Sequence, residues 1–235
     1  NTPSHAYYSV FVSNNIAYIA DYMAGLRIID VSNPQEPSFL GSYYFWGYGL
    51  SVFVSNNIAY VAADYGGLQI IDVSNPQNPA LLGFYYTPGE ALSVTVSNNI
   101  AYVTDVTGLQ IIDVTNPQSP VLLGFYDTPN EALFVTVSNN IAYVTYKYSG
   151  LLIIDVSNPQ NPALLGSYDT PGWALSVFVS NNIAYVADGW QGLQIIDVSN
   201  PQNPAILCSY DTSYVANIVF VSNNIAYVAD GNSGL

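Results

Sequence analysis

Basic residues are almost absent: Arg27 and Lys147 stand against sixteen acids, for a formal charge of −14 over 235 residues. Neutralising a phosphate backbone takes clustered Lys and Arg, so nucleic acid is excluded as a partner. Anionic lipid headgroups are disfavoured for the same reason. An acidic surface instead suits a secreted or cell-surface setting, or a cationic partner. Charged residues of both signs make up 8% of the chain, far below the roughly 25% of an average domain. Solubility therefore rests on Asn, Gln, Ser, Thr and Tyr hydroxyls, helped by the net charge.

Several chemistries fall with other shortages. His5 is the only His and sits at the terminus, which rules out a Ser-His-Asp site. One His and one Cys cannot make a zinc site, and Cys208 has no intrachain disulfide partner. No run of 18 apolar residues is present, so no spanning helix and no membrane insertion are expected. N-x-Ser/Thr does not occur, and no Gly-rich phosphate motif leads from a strand into a helix. The chain has neither an initiator Met nor a signal sequence. It opens at Asn1-Thr2-Pro3, much like the internal Asp127-Thr128-Pro129, as a mature, trimmed or partial product would.

What is present is repetition. The block V-S-N-N-I-A-Y recurs six times, its first Asn at Asn14, Asn56, Asn98, Asn139, Asn181 and Asn223. Half the residues are hydrophobic, ample for a large core, and a period of about 42 residues with strand-like content signals a β-propeller. Within one repeat, Phe134–Val137 is rich in β-branched and aromatic residues, and Ser138-Asn139-Asn140 is a hairpin turn. Ile141–Val144 returns, and Leu151–Val156 is a third strand. The two prolines of Ser157–Pro162 force a loop, and Leu164–Tyr168 makes a fourth strand. We call these strands A to D. The runs are apolar on both faces, as stacked blades require, and no segment carries a 3.6-residue period. The fold class is all-β.

Residues 67–79 and 192–204, Gly-Leu-Gln-Ile-Ile-Asp-Val-Ser-Asn-Pro-Gln-Asn-Pro, follow closely on Ile-Ala-Tyr-Val-Ala. This pattern resembles the LVIVD repeat, and the resemblance covers essentially the whole chain. It implies a β-propeller of the kind found in bacterial and archaeal cell-surface or secreted proteins, and it implies no single activity.

Strands A and B occur six times but C and D only five. The expectation is a single propeller domain over residues 1–235 with six four-stranded antiparallel blades, the last lacking its outer strands. A five-bladed ring with an extra hairpin is the alternative. The domain is expected to be part of a longer chain or an assembly, because the sixth B strand would otherwise be an open edge. Self-association, up to filaments, is one consequence.

The A–B turns and C–D loops are nearly constant among the copies, whereas the B–C and D–A loops, expected on the opposite face, differ from copy to copy. A binding site is expected there. The candidates are the aromatics Trp46, Tyr48, Tyr65, Tyr148, Trp173 and Trp190, with the acids Glu90 and Glu131. Aromatics supply flat contact area for proteins or sugars, or simply cover blade ends. Glu90 and Glu131 occupy equivalent places before strand A. They are read as solvated carboxylates, with Ca²⁺ ligands or a glycosidase-type acid–base pair as alternatives. No other cofactor is expected.

Two further acids recur, and both are read as scaffold. Asp30, Asp72, Asp113, Asp155 and Asp197 end strand C, where Asp accepts backbone N–H bonds. Asp21, Asp64, Asp105, Asp188 and Asp230 end strand B. Cys208 stands where other copies have Gly41, Gly83, Gly124 and Gly166 and is expected to be a small buried residue. The six I-A-Y tyrosines are read as blade packing. The functional expectation is a non-enzymatic extracellular or cell-surface module for protein contact, adhesion or self-association. A carbohydrate binder is the alternative, and a glycosidase using Glu90 and Glu131 ranks third.

Overall fold

The computed structural model describes residues 9–231 and 234; His5, Ala6, Asn232, Ser233 and Leu235 lie outside the described residues. The described residues form 22 strands and no α-helix. Blade 1 comprises β1 (Val10–Ser13), β2 (Ile16–Ala20), β3 (Leu26–Asp30) and β4 (Ser38–Tyr43). Blade 2 comprises β5 (Ser51–Ser55), β6 (Ile58–Ala62), β7 (Leu68–Asp72) and β8 (Ala80–Tyr85). Blade 3 comprises β9 (Ala91–Ser97), β10 (Ile100–Asp105), β11 (Gly108–Asp113) and β12 (Val121–Asp127). Blade 4 comprises β13 (Ala132–Ser138), β14 (Ile141–Tyr146), β15 (Gly150–Asp155) and β16 (Ala163–Tyr168). Blade 5 comprises β17 (Ser176–Ser180), β18 (Ile183–Ala187), β19 (Leu193–Asp197) and β20 (Ala205–Tyr210). Blade 6 has two described strands, β21 (Ala216–Ser222) and β22 (Ile225–Asp230). The first five sheets run A-B-C-D in sequence order.

Local chemistry explains the hairpins. Asn139 and Asn140 have φ of 51° and 59°, and the Asn pair of every copy repeats these positive values. Asn adopts this left-handed region more readily than other residues with a side chain, and two such residues in a row match the strand twist. Each C strand ends in an Asx turn: Asp155 Oδ1 accepts the Ser157 amide at 2.8 Å, and Asp30, Asp72, Asp113 and Asp197 do the same. Hydrogen bonds from the side chain and backbone of the residue two positions on hold these five carboxyls below the ordinary Asp value. Their contribution to stability is complete at neutral pH and is lost as pH falls through the lowered folded values.

Two compact units result, the first taking the chain up to Val106 with Gln110–Leu123, the second Thr107–Leu109 with everything from Gly124. In the first unit, Tyr18, Leu26 and Ile28 of blade 1 pack on Val52, Val61 and Ile71 of blade 2. Tyr60, Leu68 and Ile70 pack likewise on Val94, Val103 and Ile112. In the second, Tyr143, Leu151 and Ile153 pack on Val177, Val186 and Ile196. One face of a blade thus offers Tyr, Leu and Ile, and the next blade answers with Val and Ile. Fully buried aliphatic side chains of this size stabilise by about 1.5–3 kcal/mol each.

The D-strand glycines have a steric cause. A Cβ on Gly41, Gly83, Gly124 or Gly166 would run into the carbonyl of Pro76, Pro117, Pro159 or Pro201 in the C–D loop of the following blade. Cys208 departs from the sequence expectation: it is exposed, not buried. No following C–D loop lies over β20 among the described residues, so the position escapes the constraint that makes its counterparts Gly. Tyr227 departs likewise. It is 46% exposed, while Tyr18, Tyr60, Tyr102 and Tyr143 are 4–5% exposed.

Candidate binding clefts

Each unit carries an aromatic cleft built from its variable loops. In the first unit Met23, Tyr44, Trp46, Gly47, Tyr48 and Tyr65 line a cleft of about 410 Å³. Trp46 and Tyr65 lie 6.3 Å apart between ring centroids, and Tyr22 stacks on Tyr48 at 4.0 Å and 11°. The first contact lies within the 4.5–7 Å range of attractive aromatic pairs, and the second is a closer stack than that range. Gly47 lets this loop seat, since a Cβ there would strike the Ala63 carbonyl. Trp46 is 67% and Tyr65 59% exposed, so the rings hold one another and still face water.

The cleft of the second unit, about 560 Å³, is lined by Tyr148, Asp169, Thr170, Pro171, Gly172, Trp173, Trp190 and Gln191. Tyr148 meets Trp173 edge to face at 5.7 Å, and Lys147 Nζ sits 5.6 Å from the centre of the Tyr148 ring. Six candidates chosen from sequence therefore fall into two groups of three: Trp46, Tyr48 and Tyr65, and Tyr148, Trp173 and Trp190. The first group combines one B–C loop with a D–A loop, and the second combines the B–C loops of blades 4 and 5 with the D–A loop between them.

The two glutamates behave differently from the aromatics. The Tyr65 hydroxyl hydrogen-bonds Glu90, which raises the pKa of that phenol. Glu131 receives Lys147 Nζ at 2.7 Å. Each acid is thus engaged locally by its own partner. Among the described residues, no group of three His, Cys, Asp or Glu side chains is placed to hold a metal ion.

The acids that end strand B buckle the D–A loops. Asp105 Oδ2 accepts the Gly89 amide at 3.1 Å, and Asp230 accepts the Tyr214 amide at 3.2 Å. Asp188 accepts the Gly172 amide at 2.9 Å and the Thr170 hydroxyl at 2.6 Å. Asp188 therefore fixes the floor of the second cleft, directly beside Trp173. Asp21 instead pairs with Arg27 at 3.2 Å. Asp64 does not belong to this set. Ala63 holds the corresponding place, its amide bonding the Gly67 carbonyl as the Asp188 amide bonds Gly192. Asp64 is the next residue, with φ of 52°, and burial together with the Glu90 charge pushes its pKa up.

Burial raises Asp188 from 3.8 to about 6, outweighing the two hydrogen bonds to it. A carboxyl with a raised folded value favours folding in its protonated form, so its contribution falls as pH rises from about 4 to about 6. Asp188→Asn removes that titration. We expect the stability of the variant relative to wild type to increase by about 1–3 kcal/mol across that window, read from urea unfolding at pH 4, 5, 6 and 7. Parallel curves would contradict the assignment.

The sequence places Tyr22 and Met23 in a variable B–C loop without marking them as candidates, and it gives no mark of Tyr44 or the Asp169–Thr170 edge as part of a site. The repeated Thr of the D–A loop was the available signal: Thr87, Thr128 and Thr212 each donate to the carbonyl two residues on, while Thr170 turns to Asp188.

Comparison with solved structures places this architecture. A periplasmic gluconolactonase of Pseudomonas aeruginosa superposes with TM-score 0.81 at 12% identity, covering 96% of this chain and 78% of its own. A protein from Lactobacillus plantarum gives TM-score 0.86 at 12% identity, covering 96% and 77%. A computationally designed protein, Ika8, gives 0.76 at 13%, covering 96% and 68%. At these identities the likeness concerns the fold. With the six sheets in series it defines a β-propeller of six blades, the last incomplete among the described residues. The LVIVD repeat model matches residues 7–44, 46–87, 88–128, 131–170, 171–212 and 215–235. The chain belongs to the LVIVD-repeat family. No curated protein matches the sequence.

Proposed function

We propose that this protein is a non-enzymatic extracellular or cell-surface binding module that takes a protein partner in its loop-borne aromatic clefts. The observation that carries the reading is the pairing of exposed rings from two variable loops, once in each unit, on otherwise near-identical blades. All three tryptophans of the chain lie in these clefts. Rigid aromatic anchors of this kind dominate binding energy at protein interfaces. The chain's net charge of −14 favours a partner of basic character.

A second reading, carbohydrate binding, is supported by the polar rim of the second cleft. There Asp169, Thr170 and Gln191 stand beside Trp173 and Trp190, and sugar rings ask for such a combination of flat apolar surface and hydrogen-bonding groups. Gluconolactone hydrolysis, suggested by the Pseudomonas neighbour's name, has no support from the partners of Glu90 and Glu131.

The test compares wild type with the combined Trp46→Ala, Trp173→Ala and Trp190→Ala variant. Immobilised on beads, wild type is expected to retain surface proteins of the producing cells that the variant loses by about tenfold or more, consistent with loss of at least one hot spot. Equal capture overturns the reading. A glycan array bound by wild type and not by the variant would instead select the carbohydrate reading.

A further inference from the structure

Blade-to-blade packing runs from strands A and B of one blade to strand A of the next: β1 and β2 meet β5, β5 and β6 meet β9, β13 and β14 meet β17, and β17 and β18 meet β21. Blade 6 has both strands that such a contact requires of the leading partner, the two described for it. Among the described residues nothing covers its onward face: Phe220 is 55%, Ile225 54% and Tyr227 46% exposed. Phe220 and Tyr227 are cross-strand partners, as are Phe11 and Tyr18 in blade 1, where Tyr18 is 5% exposed beneath blade 2.

The opposite face is open at blade 1. Val10 is 61% exposed, whereas its counterparts Val52, Val94, Val135, Val177 and Val219 are 1–4% exposed. The two open faces are therefore the two halves of the interface that the chain already makes within each unit, Tyr and Phe on one side and Val on the other.

A third feature links the same two faces. Along strand A, blades 1, 2, 5 and 6 carry Phe11, Phe53, Phe178 and Phe220, while blades 3 and 4 carry Thr95 and Thr136. The phenylalanines touch across consecutive blades, Phe11–Phe53 at 5.0 Å and Phe178–Phe220 at 5.1 Å. A blade 1 set after blade 6 would extend these two pairs into one uninterrupted ladder, Phe178–Phe220–Phe11–Phe53.

We infer that the Phe220–Tyr227 face of blade 6 docks on the Val10 face of blade 1 of a second copy, so that the chain associates head to tail. Such a contact is heterologous, and it yields rings where the rotation closes and filaments where it does not. Repulsion between copies of charge −14 opposes association at low salt, so assembly strengthens as salt screens it.

Light scattering coupled to size exclusion on the full chain tests this. From about 5 to about 200 µM protein in about 0.5 M salt, wild type is expected to rise from 25.4 kDa to at least about twice that mass by mass action. Val10→Asp and Tyr227→Asp are each expected to stay monomeric with an unchanged circular dichroism spectrum. Their equimolar mixture is expected to recover a dimer and nothing larger, because each variant keeps the one face the other has lost. Should either variant fail to fold, Val12→Asp or Phe220→Asp takes its place. A wild type monomeric throughout overturns the inference, as do variants that assemble like wild type or a mixture of folded variants that stays monomeric. The triple Trp variant leaves the docking faces intact and assembles as wild type, so failure here is separable from failure of the cleft reading.

Discussion

Replacing Gly83 with Cys is expected to cost about 1–3 kcal/mol, whereas Cys208→Gly, the reverse change at the equivalent position, is expected to stay within about 1 kcal/mol of wild type. The backbone at Gly83 lies so near the next blade that any Cβ runs into the Pro117 carbonyl. A carbonyl held in a two-proline loop cannot swing aside as a long side chain would. Relief comes only from separating the blades, at the expense of the Tyr60, Ile70 and Val94 packing beside them. At Cys208 the side chain is exposed and no such carbonyl faces it among the described residues. In thermal melts the Gly83 variant should lose roughly 2–12 °C. Equal losses at the two positions would mean that the glycine serves the strand itself and not the blade contact.

The second large effect is a gradient along the repeat. Tyr60→Ala is expected to cost about 3–5 kcal/mol, in line with truncation of other fully buried aromatics. Tyr227→Ala, at the same place in the last copy, is expected to cost about 1 kcal/mol or less in the monomer at low protein concentration. The two residues have the same neighbours in sequence, so local propensity changes equally. They differ in cover: Tyr60 is 4% exposed and Tyr227 46% exposed. Urea midpoints of the two variants, measured where light scattering reports a monomer, give the comparison. Similar losses would show that tyrosine acts within its own sheet and that the blade interface contributes little.

Features that depend on a few adjacent residues were legible in the sequence. The Asn pairs could be read as turns because positive φ at two consecutive positions is a local demand, and the C-strand acids could be read as caps because their donor, a backbone N–H, lies two residues away. The aromatic candidates were found because identical repeats make any departure visible. Their grouping into two sets of three was not legible, since it depends on which B–C loop leans on which D–A loop. Asp64 was misplaced by one residue because Ala63 and Asp64 follow strand B with no local mark to show which continues it. Cys208 was misjudged for a different reason. Gly there is dictated by a loop about 35 residues further on in each complete copy, and no side chain at the position itself reports whether that loop is present. Asp188 shows the same limit: its identity is plain in the repeat, but its elevated pKa arises from the burial that the Thr170–Gly172 loop completes.

The most direct test of the binding account is acrylamide quenching of the intrinsic fluorescence, because Trp46, Trp173 and Trp190 are the only tryptophans and all three line the clefts. In the free protein they are 67%, 47% and 65% exposed and should be readily quenched. Saturation with a surface-protein fraction retained by wild-type beads is expected to lower the quenching constant by about half or more, as burial in a partner's pocket would. A bound complex whose tryptophans remain as accessible as in the free protein would place the interface elsewhere and contradict the account.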